Sequence, residues 1–203
     1  MELVKESAIL KELRESVVKE NKEEENDPSQ EQFVRMLIKI SGGKKCLVVG
    51  KQTYYSVLSV AESLPEGGQV FGIDFNHKDV DKPYKECFKK LKVQDKIKTI
   101  FDLHLDFMEE LTLCLTLTLS RDYHDETFDV IYLVNGDLLQ CDKYVERAYV
   151  LSNFNGLIVI GKNMKGEKAA LDKLHKQLHG DSRFEMSILE AGSLTLLRKV
   201  EPK

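Results

Sequence analysis

The apolar positions form two kinds of pattern, and these two patterns alternate along the chain. A spacing of three and four residues predicts amphipathic helices, and it occurs at 3–19, 29–41, 57–64, 80–91, 145–149 and 171–178. Short runs that are apolar almost throughout predict buried strands, and they lie at 46–49, 69–74, 97–101, 128–134 and 156–160. Helices and strands therefore alternate, which favours an α/β fold with a parallel sheet covered by helices on both faces.

The last two apolar runs break this alternation. FEMSILE and SLTLLRK are separated only by the turn residues around Ala191 and Gly192. Two strands that close together pair as a hairpin. The C-terminal part therefore predicts one antiparallel strand in an otherwise parallel sheet.

The N-terminal part predicts a helix that is joined to one domain by an acidic linker. Leu3, Leu10, Leu13 and Val17 share one face of the first helix, and that face must dock on something. The run KENKEEENDPSQ that follows is too charged to pack, and it favours a solvated linker over a tail that binds a basic partner. We divide the chain into an extension at 1–28 and a domain at 29–203, since 203 residues with 42% hydrophobic content suit one core.

Residues 111–119 read LTLCLTLTL, an alternation that suits a strand where the order of elements calls for a loop. An irregular extension or an extra edge strand is favoured over an active-site lid. Because an exposed strand invites pairing with a second copy, the segment also predicts a possible homodimer.

Charge and cysteine content narrow the class of protein. The 34 acidic and 30 basic residues are spread along the chain and leave a net charge of −4, so there is no basic stripe for nucleic acid. Cys46, Cys87, Cys114 and Cys141 are far apart and predict buried thiols in a reducing compartment, neither disulfides nor a zinc site. With no signal peptide and no apolar run long enough for a membrane span, we expect a soluble cytoplasmic protein.

The candidate chemistry lies where the first two strands end. KCLVVGKQTYYS breaks at Gly50 after an apolar strand, and the next strand ends on Asp74. A glycine lets backbone approach a ligand at such a turn, and an acid ending the second strand can accept hydrogen bonds from both ribose hydroxyls. A glycine after a strand is more often only a turn, so this nucleotide-binding layout is a weak signal alone.

Several segments together make the chain resemble a known family. The segments are SQEQFVRMLIKISGGKK, CLVVGKQTYYS, LPEGGQVFGID, FDVIYLVNGD, NFNGLIVI and DSRFEMSILEAGSLTLLRK. Their order and spacing resemble the class I S-adenosylmethionine-dependent O-methyltransferases of the catechol and caffeoyl-CoA type. The resemblance implies a Rossmann-like, doubly wound sheet of seven strands with the last strand antiparallel, and S-adenosylmethionine over the carboxyl ends of the first strands.

The same resemblance implies a set of cofactor-binding residues. They are Gly50, Ser56, Asp74 as the ribose-binding acid, Asp102 and, near the adenine side, His104. Two residues depart from the family pattern: Val48 stands where the family has an acid, and Tyr54 stands where it has a second glycine. The first change removes an attraction for the cationic end of the cofactor, and the second puts a phenol ring into space meant for the ligand.

On the acceptor side, the resemblance implies catalytic positions at Asn135, Asp137 and Lys162. Most relatives bind a divalent cation there, but here at most one carboxylate remains and Lys162 adds positive charge. Since a hard cation needs several oxygen ligands with negative charge, we expect no metal.

Two functions remain open on this one fold. The first is an S-adenosylmethionine-dependent methyltransferase that acts on a small-molecule acceptor mainly by positioning it. The second is a methyltransferase-like domain that has lost catalysis and serves as a binding or scaffold protein. Motifs of serine hydrolases, P-loop nucleotide triphosphatases and zinc proteases are absent from the sequence.

Overall fold

The computed structural model describes residues 5–21, 27–51, 53–74, 81–102, 127–136, 141–161, 168–189 and 194–201. The strands in these ranges are β1 (Lys45–Gly50), β2 (Gln69–Asp74), β3 (Ile97–Asp102), β4 (Phe128–Val134), β5 (Ser152–Ile160), β6 (Phe184–Leu189) and β7 (Leu194–Lys199). The helices are α1 (Ala8–Asn21), α2 (Pro28–Ser41), α3 (Tyr54–Ser63), α4 (Asp81–Leu91), α5 (Cys141–Leu151) and α6 (Lys168–His179).

All seven of these strands form one sheet in the order β3-β2-β1-β4-β5-β7-β6. The pairs among β1 to β5 are parallel, whereas β7 runs antiparallel to both β5 and β6. The predicted fold class, a Rossmann-like doubly wound sheet with the last strand antiparallel, is confirmed. The strand order reverses between β1 and β4, and the crevice at such a switch point is where open α/β sheets bind ligands.

Both faces of the sheet are covered, because the strands are apolar on both sides. In β1, Cys46 and Val48 join the core under α1, α2, α3 and α4. Leu47 and Val49 point the other way, into the core under α5 and α6. Because these parallel strands are buried on both faces, they are apolar at nearly every position in the sequence, as predicted.

The start of α2 differs from the sequence prediction by two residues. Asp27 is the N-cap, and its carboxylate accepts a hydrogen bond of 2.8 Å from the backbone amide of Ser29. Pro28 is the first helical residue, where its missing amide hydrogen costs nothing. The proline that suggested a linker therefore begins the helix.

The face that α2 buries also differs from the prediction. Spacing predicted a stripe that includes Met36 and Ile40, but these two side chains are 50% and 76% exposed. The buried residues of α2 are Gln30, Glu31, Val34 and Ile38. Phe33 and Leu37 of the predicted stripe do pack against the core. Apolar periodicity was therefore correct only in part, and it missed the two polar residues of the buried face.

Helix α1 docks on the domain that follows the linker. Leu10 and Leu13 are buried in the core with residues of α2 and α3. Glu6, just before α1, accepts hydrogen bonds of 3.1 and 3.0 Å from the Arg14 guanidinium and another from the Tyr55 hydroxyl. The expected docking of the stripe is thus seen for these residues, while the division at 28 and 29 stays a prediction.

Two further predictions can be compared with the structure only in part. Cys46, Cys87 and Cys141 are buried free thiols, while Cys114 and the whole 111–119 segment lie outside the described residues. The possible homodimer therefore stays a prediction. No helix within the described ranges is long and apolar enough to cross a membrane.

Candidate functional site

Three of the predicted cofactor residues end neighbouring strands in one row. Gly50 of β1 is the register partner of Asp74 of β2, and Asp74 is the partner of Asp102 of β3. On the other side, Gly50 pairs with Val134 of β4, so Asn135 follows at the same edge. The carboxyl edge of the sheet thus collects four of the residues that the sequence singled out: Gly50, Asp74, Asp102 and Asn135.

The Asp74 side chain contacts the turn that precedes α3. One carboxylate oxygen accepts hydrogen bonds from the Thr53 amide at 2.6 Å and from the Thr53 hydroxyl at 3.2 Å. Asp74 is 1% exposed. An acid at the N-terminus of a helix is stabilised by the helix dipole and by the amides that lack helical partners, so Asp74 has a structural partner within the chain.

Gly50 is required by the packing of β1 against β4. A Cβ atom on Gly50 would lie 1.5 Å from the carbonyl oxygen of Val134. Any other residue would force the two strands apart. The glycine that resembles a ligand-approach glycine therefore has a sufficient structural reason in this chain.

Asn135 links the turns after β1 and β4. Its backbone has a positive φ of 51°, which asparagine tolerates better than most residues. Its side-chain amide donates a hydrogen bond of 3.1 Å to the carbonyl oxygen of Lys51. This contact holds the two turns together where the strand order reverses.

Ser56 belongs to a group of polar side chains enclosed between α2, α3 and β4, which we call the Glu31 cluster. Its members are Gln30, Glu31, Ser56, Ser59 and Tyr132, and all are buried. The Ser56 hydroxyl donates to Oε1 of Glu31 at 2.6 Å, and the Tyr132 hydroxyl donates to the same oxygen at 3.1 Å. The Gln30 amide in turn donates to the Tyr132 hydroxyl.

Burial dominates the electrostatics of this cluster. It raises the pKa of the Glu31 carboxyl, and the donors Ser56 and Tyr132, together with the nearby Ser59 hydroxyl, offset the rise only in part. The Arg35 charge on the same helix acts in the same direction as these donors. Burial and the neighbouring Glu31 also raise the pKa of Tyr132 well above its ordinary value, which keeps the phenol a hydrogen-bond donor.

The two residues that depart from the family pattern lie in the core beside this cluster. Val48 is the register partner of Tyr132 and is buried on the same face of the sheet. Tyr54 begins α3 and is also buried there. The positions expected to carry an acid and a glycine thus contribute to the core in this chain.

The remaining predicted site residues fall at the edge of what is described. His104, Asp137 and Lys162 lie outside the described residues, and of Asp102 only the backbone pairing is described. In the ranges that are described, no three His, Cys, Asp or Glu side chains come together in a way that could hold a metal ion. The expected absence of a metal stays a prediction.

Sequence reasoning missed Glu31, Thr53 and the role of Tyr132. Thr53 could have been found only as a candidate N-cap of α3, since threonine is common at that position. Its hydroxyl does not cap the helix and donates to Asp74 instead. Glu31 gave no signal, since a glutamate in the first turn of a helix is usually solvated and stabilised there by the helix dipole. Only the packing of α2 shows that Glu31 is turned inward.

Comparison with known proteins gives a consistent result. The sequence model of the O-methyltransferase family matches residues 2–200. Caffeoyl-CoA O-methyltransferase 1 from Zea mays is 30% identical over 189 residues, which cover 84% of this chain and 69% of that protein.

Two solved structures share the architecture. The O-methyltransferase TomG from Streptomyces achromogenes, in complex with SAM, gives a TM-score of 0.74 at 17% identity over 98% of this chain and 93% of that chain. The O-methyltransferase from Bacillus cereus, in complex with SAH, gives 0.75 at 19% identity over 98% and 94%. At these identities the likeness concerns the fold.

Proposed function

Because the chain belongs to the O-methyltransferase family, we propose that it is an S-adenosylmethionine-dependent O-methyltransferase that acts on a small-molecule acceptor without a metal. The proposed cofactor-binding residues are Gly50, Ser56, Asp74, Asp102 and His104. The proposed acceptor-orienting residues are Asn135, Asp137 and Lys162.

The row of strand ends is the observation that carries this proposal. Gly50, Asp74 and Asp102 are register partners at the carboxyl edge, next to the point where the strand order reverses. A carboxylate in this row is within reach of ribose hydroxyls bound over the strand ends. The row therefore supports a nucleoside-containing cofactor at this edge.

In this structure, the side chains of Ser56 and Asp74 are not available to that cofactor. The Ser56 hydroxyl and the Asp74 carboxylate are both buried, and both have hydrogen-bond partners within the chain. A ligand that uses them must displace Glu31 and expose Asp74. Binding of the cofactor therefore requires a different arrangement around α2 and α3.

The same contacts favour a second candidate function, a methyltransferase-like binding or scaffold protein without catalysis. Val48 and Tyr54 are part of the apolar core, and the inward contacts of Ser56 and Asp74 satisfy groups that a cofactor would otherwise use. Under this alternative, the Glu31 cluster only stabilises the fold, and no ligand displaces Glu31 from Ser56.

Calorimetric titration with S-adenosylmethionine and S-adenosylhomocysteine distinguishes the two functions. For the methyltransferase we expect saturable binding that is unchanged by magnesium or by a chelator. Asp74→Ala should weaken binding about 10-fold or more, because hydrogen bonds to a charged group contribute about 1.5–3 kcal/mol.

Asp95→Ala serves as the matched control, since Asp95 is an exposed acid in the turn before β3. It should bind as the unmodified protein does. Binding that requires magnesium would contradict the proposal of a metal-free site. The methyltransferase proposal itself is abandoned if neither ligand gives heat with the unmodified chain or with the variants described below.

A further inference from the structure

The Glu31 carboxyl has an asymmetric environment. Oε1 receives the two hydrogen bonds from Ser56 and Tyr132, whereas Oε2 is buried and has no hydrogen-bond partner among the described residues. The Ser59 hydroxyl faces the same carboxyl and is the other buried group in those ranges with no such partner. A buried oxygen without a donor is tolerated better in the neutral acid than in the carboxylate, because burial disfavours the charge.

Ser56 cannot serve Glu31 and a ligand at the same time. A serine hydroxyl has a single hydrogen to donate, and here that hydrogen is directed at Oε1 of Glu31 at 2.6 Å. The side chain is 0% exposed, so no ligand atom could reach it while Glu31 stays in place. Ser56 can therefore donate its hydrogen bond either to Glu31 or to an acceptor atom of a ligand, but not to both at once.

The position of Glu31 makes it able to leave without unfolding the domain. It lies in the first turn of α2, whereas the anchors Val34 and Ile38 lie one and two turns further along. Arg35 is held from outside by Glu62 at 3.3 Å and by the carbonyl oxygen of Lys5. Rotation of one side chain or fraying of one turn would free Ser56 while the rest of α2 remains docked.

We propose that the Glu31 carboxyl is an intramolecular occupant of the candidate cofactor site, which holds Ser56 in a closed arrangement that a ligand must displace. This inference rests on the proposed function, since it takes Ser56 as a cofactor-binding residue. It makes Glu31 a competitor of the cofactor rather than a part of its binding site. The apparent affinity is then the intrinsic affinity reduced by the small population of the open arrangement.

The test compares two variants that open the cluster in different ways. Glu31→Ala removes the competing carboxyl, and Tyr132→Phe removes one of the hydroxyls that hold it. We expect Glu31→Ala to bind S-adenosylhomocysteine about 10-fold more tightly than the unmodified protein, and Tyr132→Phe about 3-fold, since each lost hydrogen bond favours the open arrangement by roughly such a factor. The measurement is calorimetric titration, with the thermal midpoint of each variant recorded in parallel.

Lys39→Ala is the matched control, because Lys39 is exposed on the same helix. It should leave affinity unchanged. A purely structural cluster would give the opposite result to the proposal, with lower thermal midpoints and equal or weaker binding in both opened variants. Weaker binding by Glu31→Ala alone would show that Glu31 contacts the ligand, and this would also overturn the proposal.

The same titrations separate this proposal from the function it rests on. Equal binding by the unmodified protein and both variants would contradict the proposed closed arrangement. It would not contradict the methyltransferase proposal. An absence of binding in all three proteins would remove both. If Glu31→Ala fails to fold, Tyr132→Phe decides alone, since loss of one hydroxyl preserves the shape of the core.

Discussion

Gly50 lies directly against the backbone of β4 at the carboxyl edge. Its position against the Val134 carbonyl leaves no room for a Cβ atom, which would come within 1.5 Å of that oxygen. Gly50→Ala should therefore lower the free energy of unfolding by about 3 kcal/mol or more, whatever ligand the protein binds. Urea unfolding measures this change without any cofactor.

Gly180→Ala is the control for that substitution. The nearest atoms to an added Cβ at Gly180 are 3.8 Å and 3.9 Å away, an ordinary contact distance. This variant should remain within about 0.5 kcal/mol of the unmodified protein. If Gly50→Ala were equally mild, the strands could separate more easily than their pairing indicates.

Glu31 gives the stability of the protein a distinct pH dependence. Burial raises its pKa in the folded state above the ordinary 4.5, so folding favours the protonated acid. The stabilisation is fully present below about pH 4.5 and is lost as the pH rises through the raised folded-state pKa. Glu31→Gln cannot ionise, so its advantage over the unmodified protein should grow as the pH rises above about 4.5 and level off above the raised folded-state pKa of Glu31.

Urea unfolding of both proteins across that range measures the difference. The charged and titratable groups that act on Glu31 are Arg35, Tyr132 and Tyr55, and they remain in the variant. His175, whose pKa is lowered by burial, titrates in both proteins and cancels in the difference. Parallel pH profiles would mean that Glu31 is already charged in the folded state.

At the scale of elements, α1 is part of the folded core. Leu13→Ala should cost about 2–5 kcal/mol, because Leu13 is buried among residues that follow the linker. Met36→Ala removes a similar volume from a side chain that is 50% exposed, and it should cost about 0.5 kcal/mol or less. Equal small effects in global unfolding would mean that α1 unfolds separately from the domain.

The elements also show how far a sequence of this kind can be interpreted. Strands such as 69–74 and 128–134 were predicted residue for residue, since buried parallel strands are apolar on both faces. The orientation of α2 was predicted only in part, with Phe33 and Leu37 packed but Met36 and Ile40 exposed, because hydrophobic periodicity assumes that the buried face is apolar. The candidate site depends on that face, so the Glu31 cluster could not be found without the packing.

Two of the candidate site residues could be located without the family resemblance. Asp74 and Gly50 were both located at the correct strand ends, which follows from the strand boundaries alone. Their partners were not predicted, because contacts such as Asp74 with Thr53 depend on how α3 meets the sheet. Strand ends are a local property of the sequence, whereas hydrogen-bond partners across elements are not.

At the scale of the whole molecule, the sheet depends on β7. This strand pairs with β5 on one side and with β6 on the other. A chain shortened to end at residue 189 should lose cooperative unfolding, because β6 loses its neighbour in the sheet and the buried Leu194 and Leu197 leave the core. Circular dichroism during heating measures the loss.

A chain shortened to end at Val200 is the control. It keeps β7 and the hydrogen bond of 2.9 Å from the Val200 amide to the Arg183 carbonyl oxygen. This protein should melt as the full chain does. A cooperative transition in the shorter chain would show that β1 to β5 form a stable sheet by themselves.

The interior place of β7 also matters while the protein is being made. Ribosomes release the chain from its N-terminus, so β5 and β6 emerge before the strand that joins them. Until residues 194–199 leave the exit tunnel, the nascent sheet has an open edge at β5, where another unfinished chain could pair. Any delay between the emergence of β5 and that of β7 would lengthen this exposure and favour aggregation.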